Sequence, residues 1–217
     1  MRKRLLQNRI TVIAGPYGSG KTNIAVNLAL SLAEAGKKCC LVDLDTVNPY
    51  FRSADNEKQL REAGVRPILP EFANTNVDIP TLPKEYASVF VTEEHAVIDV
   101  GGDADGATAL GVHRAEYERC TYAMYYVYNY YRPYVSHPRA AQELLNEMEK
   151  ASGLRFCGVI NNSNLGAETT KEDVLASYAA CGEFCGLCGL PLAAVTAFAA
   201  HAPEGAIPIR DVTKKLF

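Results

Sequence analysis

The chain has 217 residues, 48% hydrophobic and 22% charged, with a formal net charge of −3 and a pI of about 5.8. These proportions describe one ordinary globular domain, able to bury roughly 70% of its unfolded surface without a disulfide or metal. They exclude a dedicated nucleic-acid binder, which would carry a basic face and a pI above about 9.

No stretch approaches the roughly 18 apolar residues of a membrane span. The basic start (Arg2, Lys3, Arg4, Arg9) lacks the apolar core of a signal peptide and reads as a solvated arm. Seven cysteines do not suggest a disulfide framework, and the expected location is cytoplasmic.

Apolar runs alternate with helical patterns along the chain. Arg9–Ala14 predicts a buried strand, Gly20–Ala35 a helix and Lys38–Leu44 a second buried strand. A short helix over Asn56–Ala63 and a third strand near Pro67–Leu69 follow. Pro70–Lys84, with prolines at 70, 80 and 83, reads as a loop. His95–Val100 is a strand, Ala107–Arg119 a helix, Thr121–Asn129 a strand, Pro138–Ala151 a helix and Arg155–Asn161 a strand. Lys171–Cys188 is helical and Leu192–Phe198 is the final strand. Apolar strands alternating with helices predict an α/β fold with a mostly parallel sheet of about seven strands. Ligands bind such sheets beyond the carboxyl ends of the strands, so the residues there carry the argument.

After the first strand, Gly15-Pro16-Tyr17-Gly18-Ser19-Gly20-Lys21-Thr22 matches G-x-x-x-x-G-K-[ST]. Such a loop turns successive backbone N–H groups toward a phosphate, helped by the positive end of the helix dipole. Lys21 would reach the β- and γ-phosphates, and Thr22 would offer its hydroxyl to Mg²⁺. After the second strand come Asp43 and Asp45. They point to opposite faces while the strand continues, and the later one, Asp45, is the candidate near Mg²⁺ and the attacking water. Arg52 is a candidate for transition-state charge or for a structural ion pair.

Asp99 closes an apolar strand, where a carboxylate can hold Mg²⁺ through water. Gly102 would let backbone N–H approach the γ-phosphate, and Asp103 would orient water or cap the next helix. After the Arg155–Asn161 strand, asparagine amides can read a purine edge. Counted from Asn162, a guanine-reading N-K-x-D pattern would have lysine at Ser163 and a carboxylate at Leu165. The pattern favours adenine.

These four sites, in this order, resemble the MinD/ParA/CobQ-type (SIMIBI class) P-loop ATPases, a group that includes the nitrogenase iron protein and cluster-assembly ATPases. The resemblance runs from Ile10 to about Pro208. It implies a three-layer P-loop fold, ATP and Mg²⁺, a switch I aspartate at Asp45, a switch II segment over Asp99–Asp103 and a base contact at Asn162. It also implies a protein partner or homodimer. Two positions depart from the group. Pro16 stands where its signature lysine belongs, which implies slow intrinsic hydrolysis, and Gly106 stands where the iron protein has a cluster cysteine.

Cys181, Cys185 and Cys188 fit either a buried helix face or an iron–sulfur ligand set. Tyr130, Tyr131 and Tyr134 fit either a partner surface or a structural cluster. The expected function is a Mg²⁺-dependent, slow ATPase switch in metallocofactor maturation or partner regulation. The alternatives are an ATP-dependent small-molecule or polynucleotide kinase or ligase, whose G-P-x-x-x-G-K-[ST] opening is similar, and a nucleotide-binding module with little turnover.

Overall fold

The computed structural model describes residues 5–45, 57–70, 82–135 and 137–212. Arg52 and the basic residues 2–4 lie outside this set. The strands are β1 (Ile10–Ala14), β2 (Cys39–Asp43), β3 (Val65–Ile68), β4 (His95–Asp99), β5 (Tyr122–Tyr128), β6 (Gly158–Asn161), β7 (Leu192–Phe198) and β8 (Ile207–Ile209). They form one sheet in the order β3-β2-β4-β1-β5-β6-β7-β8, and every neighbouring pair is parallel. The eighth strand exceeds the seven expected from sequence. Pro208 hides it from a propensity reading, yet proline is tolerated on an edge strand because its missing N–H interrupts no ladder there.

Residues at alternate positions feed two cores, one on each face. Val12, Val42, Ile98, Met124 and Tyr126 pack on one side; Ile13, Leu41, Val97, Tyr125 and Val127 pack on the other. The second face is covered by helix α1 (Lys21–Glu34), which contributes Ile24, Ala25, Leu28 and Leu32. Helix α2 (Glu57–Glu62) packs beside β3. The first face is covered by α3 (Ala104–Gly111), α4 (Arg114–Arg119), α5 (Pro138–Ser152) and α7 (Tyr178–Cys188). Helix α6 (Lys171–Ala176) buries Val174 against Val195 and Ala197 of β7. No helix among the described residues is long and apolar enough to cross a membrane.

Two helices expected as continuous are broken. α3 stops at Gly111, whose backbone presses on the end of α5, and α4 restarts at Arg114. The 171–188 helix breaks at fully buried Ser177, whose hydroxyl accepts a 2.9 Å hydrogen bond from the Asn161 amide. Lys84–Phe90, expected to begin as loop, forms a 3₁₀ helix that buries Tyr86 and Val89. Arg9 is not a solvated residue. It donates to the carbonyls of Val89 and Glu94 and to the Cys120 sulfur.

Candidate functional site

The centre of the sheet places the site. After β1 the chain lays β2 and β3 on one side, returns to insert β4 between β2 and β1, and then continues from the other side of β1 through β5 to β8. The carboxyl ends of β1, β2, β4, β5 and β6 therefore converge where the strand order reverses, the position at which open parallel sheets bind ligands.

The loop after β1 has the form the motif predicts. Gly20 adopts φ +89° as the residue before α1, and any side chain there would collide with the Asn162 amide. Lys21 is buried and donates from Nζ to the Pro16 carbonyl at 3.1 Å, which also accepts from the Ser19 N–H. The Ser19 hydroxyl is buried and has no hydrogen-bond partner among the described residues. An orphaned buried hydroxyl is costly and suits a site whose ligand completes it.

Three carboxylates, Asp99, Asp45 and Asp103, act on this one lysine, and Asp43 lies beside Asp99. Asp99 is 0% exposed, Asp43 0% and Asp45 5%. Asp43 and Asp99 lie side by side across the β2–β4 ladder and so project from the same face. Asp43 Oδ1 accepts the Asp45 N–H at 2.9 Å, and this turn provides the bend that brings Asp45 to the site as well. The sequence reading admitted only one of the two. Burial pushes the Asp99 carboxyl up to about 7; Lys21 and Thr22 favour its charged form and Asp45 opposes it. Thr22 is close enough to act on the charge, yet among the described residues neither Asp99 oxygen has a partner in hydrogen-bonding geometry. Burial lowers the Lys21 pKa, against the pull of Asp99, Asp45 and Asp103. Thr22, Asp45 and Asp99 offer oxygen donors of the kind a hard divalent cation takes.

Tyr17 bridges the phosphate loop to the segment after β4. A methyl group at Gly102 would lie 2.5–2.8 Å from three atoms of its ring, so the ring rests on Gly102. Its hydroxyl donates to Asp103 Oδ2 at 3.2 Å, and Lys21 Nζ lies 5.6 Å from the ring centre. Burial, then the charges of Asp103 and Asp45, push the phenol up to about 12, which keeps it a donor. The other Asp103 oxygen accepts the Gly106 N–H and caps α3. Both oxygens of Asp103 are thus engaged.

Asn162 ties three elements together. It donates to the Ser19 carbonyl at 2.7 Å and accepts from the Thr196 hydroxyl of β7 at 2.7 Å. Asn161 is turned away, donating to Ser177 and accepting from the Ser163 N–H and hydroxyl. Asn129, at the end of β5, accepts from the N–H groups of Tyr131 and Asn164. Arg132 donates from Nε to the Gly18 carbonyl at 2.6 Å. Sequence reasoning weighed Asp43 and preferred Asp45; it missed Thr196 and Arg132, which reach the site through fold contacts that no motif spacing marks.

The cysteine trio lies on α7, with Cys181 and Cys185 packed in the core. Burial pushes the Cys188 thiol up to about 11, against the thiolate a metal needs. Among the described residues no group of three or more His, Cys, Asp or Glu side chains is placed to hold a metal ion. Tyr131 donates to the Asp173 carbonyl of its own chain, and Tyr130 packs edge-on against it while remaining 37% exposed.

Three of the solved structures that share the fold illustrate the likeness. They are the FtsY cell division protein of Thermotoga maritima (TM-score 0.56, 16% identity, 92% of this chain and 64% of that one); the septum site-determining protein MinD of Pyrococcus horikoshii complexed with Mg-ADP (0.52, 19%, 86% and 79%); and a nucleotide-binding protein of Archaeoglobus fulgidus in complex with ADP (0.52, 17%, 97% and 86%). Among curated proteins, the DNA repair and recombination protein RadB of Methanococcoides burtonii is 33% identical over 46% of this chain and 42% of its own length. The cytosolic Fe-S cluster assembly factor NUBP2 of Gallus gallus is 36% identical over 27% and 23%, and CFD1 of Yarrowia lipolytica is 31% identical over 36% and 28%. The matches span less than half the length of these curated relatives. Residues 10–183, which contain the phosphate loop, Asp43, Asp45, Asp99, Asp103, Arg132 and Asn162, match the CobQ/CobB/MinD/ParA nucleotide binding domain (CbiA), and the chain belongs to that family.

Proposed function

We propose that this chain is a Mg²⁺-dependent ATP-binding switch with slow hydrolysis. The observation that carries the reading is the set of carboxylates that act on the buried Lys21, namely Asp99, Asp45 and Asp103, behind a phosphate loop whose Ser19 hydroxyl has no partner among the described residues. A site of this charge takes a polyphosphate only together with a cation.

Thr22, Asp45 and Asp99 would hold Mg²⁺, which when bound neutralises phosphate charge and polarises the γ-phosphoryl group. Backbone N–H groups of Tyr17 through Lys21 would line the phosphate tail. On binding, Lys21 Nζ would leave the Pro16 carbonyl for the β- and γ-phosphates. Asp45 would orient a water and take its proton. The water oxygen bonds to the γ-phosphorus, the bond to the β–γ bridging oxygen breaks with its electron pair leaving on ADP, and phosphate is released. Asp103 would join the orientation of water only after Tyr17 lets it go. Gly102, relieved of the Tyr17 ring, would meet the γ-phosphate and report its presence to α3.

Adenine is favoured because position 165, where a guanine site needs a carboxylate acceptor, is an exposed leucine. Asn162 acts here by holding the phosphate loop and would reach the base through its remaining N–H. The switch would act on a partner protein or on a second copy of the chain. The partial likeness to two Fe-S cluster assembly factors makes metallocofactor maturation the first client class to examine.

The test is to incubate the purified protein with Mg²⁺, γ-labelled ATP and a metabolite extract. Free labelled phosphate at a slow rate supports the switch; a labelled acceptor overturns it in favour of a kinase. Lys21→Ala should abolish ATP binding in calorimetry. Asp45→Ala should keep ATP affinity within a fewfold and lose phosphate release, and a fully active Asp45→Ala variant would remove its assigned role.

A further inference from the structure

Arg132 belongs to no motif, yet it lies on the crest of the phosphate loop. It sits in the connection from β5 to α5, 114 residues from the glycine it touches. Its Nε donates to the Gly18 carbonyl at 2.6 Å, and a methyl group at Gly18 would lie 3.0 Å from Nε and 3.1 Å from Cζ. The guanidinium is therefore packed against the loop backbone.

The connection that carries it is firmly held. The Arg132 N–H donates to the Asn129 carbonyl, and the buried Asn129 amide accepts from Tyr131 and Asn164. The Tyr130 N–H donates to the Ser163 hydroxyl, and the Tyr131 hydroxyl reaches the Asp173 carbonyl. Pro133 further restricts the Arg132 backbone. Little freedom is left to lose on binding, which favours a ligand contact over a floating surface charge.

Among the described residues Arg132 forms no ion pair, although most other described arginines near a carboxylate do, as at Arg61, Arg66, Arg114 and Arg155. Among the described residues Lys21 and Arg132 are the cations resting on this loop, and each is bonded to a backbone carbonyl of it. A carbonyl is a weak partner for a full charge, readily exchanged for a phosphate oxygen. One N–H of the fork is used by Gly18; four remain. Three carboxylates that act on Lys21 (Asp45, Asp99, Asp103) raise the negative charge a polyphosphate must enter, which favours a second cation at the loop.

We propose that Arg132 is a nucleotide-binding residue whose guanidinium, braced on Gly18, supplies positive charge to the bound phosphate tail from within the same chain. The proposal rests on the nucleotide-switch reading above and adds a residue to its site.

The experiment compares wild type, Arg132→Lys and Arg132→Gln by titration calorimetry with two probes, Mg·ATP and Mg·tripolyphosphate. Glutamine can still donate to Gly18 but carries no charge; lysine keeps both. The expected result is about a tenfold loss of affinity for both probes in Arg132→Gln, with most of it recovered in Arg132→Lys. Nucleotide-free melting temperatures should stay close to wild type. Wild-type affinity in Arg132→Gln would reduce the residue to a loop brace and overturn the proposal. Loss for Mg·ATP with none for Mg·tripolyphosphate would place the contact on the base and also overturn it. Either of these leaves the switch reading standing, whereas a wild-type protein that binds neither probe overturns both. Should Arg132→Gln not fold, Arg132→Lys decides alone: binding of both probes within about threefold of wild type supports the charge, and a tenfold loss overturns it.

Discussion

Asp99 and Lys21 carry opposite charges into one buried space, and burial works against both. For Asp99 the sign is worked out directly. Its carboxyl titrates at about 7 when folded and about 3.8 when exposed, so the unfolded chain loses its proton first. The metal-free protein is therefore stabilised by this group below pH about 4, and that contribution falls as pH rises through 7. Asp99→Asn removes the titration and the buried charge while keeping the shape. Calorimetric melts of the metal-free variant should show a flatter pH dependence between 4 and 7. At pH 8 its Tm should exceed wild type by at least ~2–4 °C, the equivalent of about 1 kcal/mol in a chain this size. The same variant should lose the dependence of nucleotide affinity on Mg²⁺. A substitution that stabilises the empty protein and disables the loaded one is what a functional carboxylate predicts, since a structural carboxylate would lose stability in both states.

At the scale of elements, the two loops that meet the phosphates are already in contact through Tyr17. Its ring covers Gly102 and its hydroxyl holds Asp103 at the start of α3. A γ-phosphate that is to meet the Gly102 N–H must displace the ring, whereas ADP need not. The contact is therefore a differential cost on ATP, of the order of 1 kcal/mol for one aromatic contact and one hydrogen bond. Tyr17→Ala should tighten ATP about fivefold relative to ADP, read as the ratio of the two dissociation constants. Tyr17→Phe, which keeps the ring, should give a smaller change in the same direction. An unchanged ratio in both would show that the ring and the γ-phosphate do not compete.

The same elements show what a sequence can disclose. The buried strands and the motif residues behind them were legible because both obey short spacings: an apolar run, then glycine, lysine and threonine, or an aspartate and two glycines. Gly15–Thr22, Asp45, Asp99–Asp103 and Asn162 all arrive at the same edge of the sheet. What was not legible depends on contacts between distant residues. The break at Ser177 comes from Asn161, 16 residues earlier, and the stop at Gly111 from the backbone of α5. Arg132 and Thr196 join the site across 114 and 34 residues. Asp43 was set aside because strand alternation assigns it the face opposite Asp45; the turn it makes with the Asp45 N–H cancels that rule.

At the scale of the molecule, the site draws on nearly every central strand, so occupancy and global stability are coupled. The phosphate loop hangs from β1, is pinned to β6 and β7 through Asn162 and Thr196, and is braced from the β5 connection by Arg132. Asp43 and Asp99 join β2 and β4 to the same centre. A ligand that binds only this assembled arrangement adds RT ln(1 + [L]/Kd) to the folded state, about 2.7 kcal/mol at a hundredfold excess over Kd. For a chain of this length that corresponds to a rise in Tm of roughly 5–11 °C with Mg·ATP. Chelating the metal should remove most of the rise, because the polyphosphate would then face Asp45, Asp99 and Asp103 with Lys21 and Arg132 as the cations among the described residues to balance them. ATP and EDTA together should thus leave the melt close to that of the empty protein. If ATP raised the Tm equally with and without divalent metal, the carboxylates would be serving the fold alone, and the phosphate loop would have to manage the charge through Lys21, Arg132 and its own N–H groups.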